Sequence, residues 1–142
     1  DGVRVRVLWP RPSGRPPLRV RNDDSLVLEA DFAGQRFLLT GDVERMGENG
    51  LEGRACAVSV PHHGSRTSSS AAWLARARPR VALLSVGRRN RFGHPHPEVL
   101  ARYLALGSLV ARTDRDGTVT LCADGATLWL ASTREGWRAT LR

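Results

Sequence analysis

Three short apolar runs constrain the fold more than any other feature of the chain. Residues 36–40 (RFLLT), 55–60 (ACAVSV) and 81–86 (VALLSV) each have the length of a buried strand, and each leads into a polar loop. After each loop comes a segment with helical features. Residues 43–51 form the weakest of these, because they contain two glycines. Residues 69–77 follow serines that can cap a helix, and 98–106 follow Pro97, which suits a first helical position, with Gly107 just past the end. Repeated strand–loop–helix units predict an α/β sheet with parallel strands, covered by helices. Chemistry is then expected beyond the carboxyl ends of those strands.

The flanks read differently. Residues 3–8 alternate Val or Leu with Arg, as a half-buried strand does, and WPRPSGRPP (9–17) ends that strand, since proline lacks an amide donor. Residues 26–32 and 36–40 form a predicted hairpin joined by a three-residue turn containing Gly34. A second hairpin, 118–122 with 127–131, follows the turn TDRDG, and Trp137 marks a last docked segment.

With 142 residues the chain fits one domain, and no run of about 18 apolar residues could span a bilayer. The chain itself is expected to be soluble. Its start at Asp1, within a few residues of a strand, suggests a piece of something longer. The formal net charge is +8, and all 22 basic residues are arginine. Such a balance favours an anionic partner, since a basic surface concentrates and steers polyanions. The simple alternative is a solvated basic surface in an arginine-rich proteome. Cys56 and Cys122 are too few and too far apart for a zinc knuckle.

All four histidines fall in two of the strand-end loops. PHHGS carries His62 and His63, and GHPHP carries His94 and His96, while the third loop, LLTGD, places Asp42 directly after its strand. Imidazoles and a carboxylate delivered to one edge of a sheet are what a divalent metal site needs. Each element alone has a plainer reading as a turn, a cap or a proline-stiffened loop. Adjacent histidines cannot point the same way, so one is expected to ligate and the other to orient or to meet substrate. Ser65, Thr67 and Ser68 offer hydroxyls near a helix start, a candidate phosphate cradle. GRRNRFG adds Arg88, Arg89 and Arg91 beside Phe92, a combination suited to a nucleic-acid strand through phosphate contacts and base stacking.

NDDSLVL, FLLTGDVE, VPHHGSRTSSS, LLSVGRRNRFGHPHPEVL and RTDRDG resemble, in order and spacing, the C-terminal metallo-β-lactamase-like domain of ComEC-type competence proteins. The resemblance runs from about residue 7 to residue 117. It implies an αββα metallo-β-lactamase-like fold of which this chain, residues 1–142 as a single domain, is the C-terminal portion, because the histidine-rich signature of the N-terminal half is absent. It further implies a metal-dependent nuclease that degrades the DNA strand not imported, with two Mn or Zn ions in the intact domain. By that resemblance Asp42 matches the metal-bridging aspartate. His63 is favoured as a ligand, with His62 facing substrate and His94 and His96 as further metal or substrate contacts. Asn22, Ser25 and Ser65 are implied to support the site, and Arg66, Arg88, Arg89, Arg91 and Phe92 to bind DNA, preferentially single-stranded. The parent would sit in the bacterial inner membrane with this domain outside the cytoplasm. The isolated chain is expected to bind metal weakly and to hydrolyse little. Two other readings stay open: a non-catalytic basic module that guides DNA, and a small-molecule metallohydrolase of the same fold.

Overall fold

The computed structural model describes residues 2–11, 19–134 and 136–141. Most of the proline-rich stretch at 9–17 lies outside the described residues. Six strands form a mixed sheet in chain order: β1 (Arg4–Trp9), β2 (Val27–Phe32), β3 (Gln35–Leu39), β4 (Ala57–Ser59), β5 (Val81–Leu84) and β6 (Leu109–Arg112). The first three pair antiparallel, and β3 through β6 run parallel. Among the described residues three helices connect the parallel strands, α1 (Arg45–Asn49), α2 (Ala71–Ala77) and α3 (Pro97–Ala105), and a short α4 (Thr113–Asp116) follows β6. A three-stranded antiparallel sheet follows, made of β7 (Val119–Ala123), β8 (Leu128–Ser132) and β9 (Arg138–Leu141).

Residue alternation in β3 to β6 sorts side chains into two cores. Leu38, Val58, Ala82 and Leu84 join Trp73, Leu74, Ala77, Val99 and Tyr103 from α2 and α3. Phe37, Ala57, Val81, Leu83, Leu109 and Ala111 face the other way, against Leu128 and Leu130 of the small sheet. Both faces of these strands are therefore covered, which is why they read as apolar runs without alternation. The order is a helical layer, the six-stranded sheet and the three-stranded sheet.

Several local expectations are corrected. The β2–β3 turn has two residues rather than three, because Phe32 pairs with Gln35 and both Ala33 and Gly34 take positive φ, as a tight hairpin turn requires. The segment TDRDG is a single helical turn, α4, rather than an open turn, and it ends at Gly117 with φ +76°. Strand β6 has no counterpart in the sequence reading, since its apolar run stops after three residues, Leu109 to Ala111, at Arg112, whereas β4 and β5 lie in six-residue runs. Trp137 precedes a full strand, β9.

Two buried carboxylates tie elements together. Glu29 in β2 is fully buried and bonds Arg6 of β1 and Arg36 of β3. Burial pushes its pKa up, and the two guanidinium groups outweigh that and hold it below the usual range. Glu48 of α1, also fully buried, accepts the backbone N–H groups of Ser69 and Ser70 and so fixes the start of α2. Ser70 caps that helix by accepting from the Trp73 amide.

Candidate metal and nucleic-acid site

Strands β3, β4 and β5 are adjacent and parallel, so their carboxyl ends deliver three loops to one edge of the sheet. Backbone hydrogen bonds stitch the loops to one another. The His62 amide donates to the Gly41 carbonyl at 3.0 Å, and the His96 amide to the Gly64 carbonyl at 2.8 Å. Below them, the Thr40 hydroxyl donates to the Ser59 carbonyl at 2.6 Å, locking the end of β3 to the end of β4. Gly64 has φ +81°, and a Cβ there would fall 2.7 Å from the Pro95 Cβ, so the second and third loops touch where only glycine fits.

The structure brings Asp42, His62, His63 and His94 into one locality. His62 and His63 both take left-handed backbone conformations, φ 47° and 54°, and their rings diverge with centroids 6.5 Å apart. His63 Nδ1 lies 2.8 Å from the Ser85 carbonyl oxygen. A carbonyl only accepts, so Nδ1 carries the proton and Nε2 presents a lone pair. That Nε2 lies 3.5 Å from Asp42 Oδ1. Two ligand atoms each about 2.1 Å from one ion, at a tetrahedral angle, would be about 3.4 Å apart, so the pair fits two positions of a shared divalent ion. Both side chains are about half exposed. Among the described residues, no group of three or more His, Cys, Asp or Glu side chains is gathered to hold a metal. The two facing donor atoms, His63 Nε2 and Asp42 Oδ1, are thus fewer than a complete ligand set.

His62 turns to Glu44. Its Nδ1 donates to Glu44 Oε1 at 3.1 Å, and the same oxygen accepts from the Thr67 hydroxyl at 2.7 Å and the Asn22 amide at 3.2 Å. The Thr67 bond, with help from Asn22 and His62, holds the Glu44 carboxyl below its usual range despite partial burial. Glu44 is the site residue that sequence reasoning missed. It falls in the 43–51 segment read as weakly helical, and the one signal available is its place two residues beyond Asp42 on the same loop.

The supporting residues occupy definite places. Ser25 Oγ accepts the Asp42 amide at 3.2 Å, and Asn22 reaches Glu44 as described. Ser65 is buried and its hydroxyl lies 2.9 Å from that of Thr67. The expectation of a phosphate cradle at Ser65, Thr67 and Ser68 is corrected at Ser68, which is fully buried and bonds the Pro61 and Ser65 carbonyls, so its hydroxyl braces the loop; Thr67 is exposed and donates to Glu44.

The second histidine pair is held less completely. Arg66 Nε donates to His96 Nε2 at 3.1 Å, which places the His96 proton on Nδ1, a buried atom with no partner among the described residues. His94 Nδ1 is likewise buried without a partner. Burial lowers the His94 pKa, with the neighbouring histidines adding to the effect, so its neutral form is favoured. Its ring stacks on Phe92, centroids 6.0 Å apart and planes 19° from parallel. Arg88, Arg89 and Arg91 are exposed and make no ion pair among the described residues; the Arg91 guanidinium sits 5.3 Å from the centre of the Phe92 ring.

No family model matches the chain. Comparison with curated proteins is informative. Over 104 residues it is 36% identical to ComE operon protein 3 of Bacillus subtilis (strain 168), a match covering 70% of this chain and 13% of that protein. It is 36% identical over 125 residues to competence protein ComA of Neisseria gonorrhoeae, covering 84% of this chain and 18% of the relative. By sequence, this is a ComEC-type chain. Recombination protein 2 of Haemophilus influenzae adds 38% identity over 122 residues, 84% of this chain and 15% of that protein. The chain thus spans less than a fifth of the length of these ComEC-type relatives. Among the described residues no helix is long and apolar enough to cross a membrane.

Proposed function

We propose that this chain supplies part of a metal-dependent phosphodiester-hydrolysing site that acts on DNA during competence, within a larger membrane-embedded protein that holds this domain outside the cytoplasm. The observation that carries the reading is the facing pair His63 Nε2 and Asp42 Oδ1, 3.5 Å apart, with His63 fixed by the Ser85 carbonyl. A divalent Mn or Zn ion, two in a complete domain, would lower the pKa of a bound water and stabilise developing charge on phosphodiester oxygens. This chain's part is to offer the Asp42 carboxylate and the His63 lone pair on a rigid strand edge, and to present His62, held by Glu44, toward the substrate. The three-layer arrangement and the open edge of β1 support assignment to the C-terminal portion of a metallo-β-lactamase-like domain, with further ligands coming from elsewhere.

Calorimetric titration of Mn²⁺ and Zn²⁺ into this chain, beside His63→Ala and Asp42→Asn, tests the reading. Weak binding that disappears in both variants is expected, together with Mn²⁺- or Zn²⁺-dependent cleavage of a single-stranded oligonucleotide by the longest natural protein that carries the sequence. Heats identical in all three chains overturn it. The exposed, unpaired Arg88, Arg89 and Arg91 favour one second reading, a DNA-guiding module without catalysis. DNA binding that falls steeply with salt and ignores chelator, with no cleavage, would select it.

A further inference from the structure

A cavity of about 400 Å³ opens beside the proposed metal pair, lined by His63, Val86, Gly87, Asn90, Phe92 and His94. We propose that this cavity is a subsite for one unpaired nucleobase of a DNA strand that passes the His63–Asp42 edge. The proposal rests on the reading of the substrate as DNA and does not require that the chain cleave it.

Four observations converge on a planar, uncharged ring attached to an anion. The volume falls in the range of small-molecule sites, about 300–1,000 Å³. The lining holds two rings that already lie nearly parallel, Phe92 and His94, and Phe92 keeps 69% of its surface exposed. A base would continue that stack, and stacking on aromatic side chains is the sequence-tolerant way to hold single strands. The loop that lines the cavity also carries the exposed Arg88, Arg89 and Arg91, whose charge matches a phosphate backbone; an acidic peptide would match the charge and leave the rings unused. The loop is also built to hold its shape. The Asn90 amide donates to the Gly87 and His94 carbonyls, its oxygen accepts the His94 amide, and the loop's root is clamped by the Thr113 hydroxyl against Val86.

The same bonds limit what the cavity can read. The Asn90 side chain and the Ser85 carbonyl are already engaged inside the protein, so few polar groups are left to read a base edge. The subsite should therefore accept any base but exclude a paired one, because a base inside a duplex stack reaches a lateral cavity only by flipping out.

A trinucleotide with one 2-aminopurine between two abasic sugars, compared with an all-abasic trinucleotide of equal charge, tests this in the presence of chelator. The aminopurine probe is expected to bind about 5- to 150-fold more tightly, with its fluorescence quenched. Phe92→Ala is expected to erase that preference and leave the affinity of the abasic backbone unchanged, while Phe92→Trp retains it and guards against a folding artefact. Replacing 2-aminopurine by each natural base should move affinity less than about tenfold. Equal affinity for the two trinucleotides, or no binding of either, overturns the subsite. Metal titration of the same proteins without chelator separates the two proposals: base preference without metal binding sinks the hydrolytic reading alone, and metal binding without base preference sinks the subsite alone.

Discussion

The two histidine loops leave neighbouring strands and meet at Gly64, yet they are held in different ways. In the first, every ring has a fixed acceptor: His62 donates to Glu44 and His63 to the Ser85 carbonyl. In the second, both Nδ1 atoms are buried with no partner among the described residues, and the loop owes its shape to Asn90 and to backbone bonds. A ring whose tautomer is set by a neighbour is ready for chemistry without rearrangement. A ring with an unmet hydrogen-bonding atom in a low-dielectric setting costs the fold something, and it is retained at positions where another group completes it. The first loop is thus complete within this chain, and the second is shaped but incomplete.

The largest expected effect that separates the loops is on turnover. Glu44→Gln keeps the shape but weakens the acceptor that positions His62, and cleavage by the protein carrying this chain should fall about 10- to 100-fold with metal affinity little changed. Asn90→Ala, which loosens the other loop, should instead leave the reactive pair intact and raise KM more than it lowers kcat. A next, smaller contrast is in stability, read from urea unfolding. His62→Phe removes one of the three donors to the Glu44 oxygen, leaving Thr67 and Asn22, and should destabilise by about 1 kcal/mol. His94→Phe removes an unpartnered buried nitrogen and should be neutral or slightly stabilising. Equal losses in the two variants would erase the distinction drawn between the loops.

The smallest effect is a pH slope measured with chelator present. The folded His94 pKa lies below its ordinary value of 6.5, so the folded state binds fewer protons than the unfolded one. The stability associated with this neutral imidazole is complete above about pH 6.5 and is lost as pH falls through the folded pKa. His94→Phe should flatten the profile in that window, and a slope unchanged by the substitution assigns it to other groups.

The sequence made the parallel strands and their loops legible because strands buried on both faces become unbroken apolar runs, and because histidine is rare enough for four in two loops to stand out. The same reasoning could not see Glu44 or the Ser85 carbonyl. Glu44 matters through Asn22, Thr67 and His62, three residues from different parts of the chain, and a backbone carbonyl leaves no mark in a sequence at all. The serine-rich loop was misjudged for a related reason. Hydroxyls that brace a loop and hydroxyls that face a ligand have the same composition, and only burial, total at Ser68, tells them apart. Strand β6 went unseen because its apolar run ends at Arg112 after three residues, while the shorter β4 and the equally short β5 lie in longer apolar runs.

Gly64 carries no functional atom, but the space a methyl group would need there is occupied by Pro95. The two histidine loops therefore cannot drift independently under mutation. A side chain at residue 64 is excluded twice, by contact with Pro95 and Leu84 and by a φ of +81° that glycine alone adopts freely, so no change at 95 by itself would make room for one. The mutational paths open to this site are consequently narrow, and they are narrowed by packing between two residues that take no part in its chemistry.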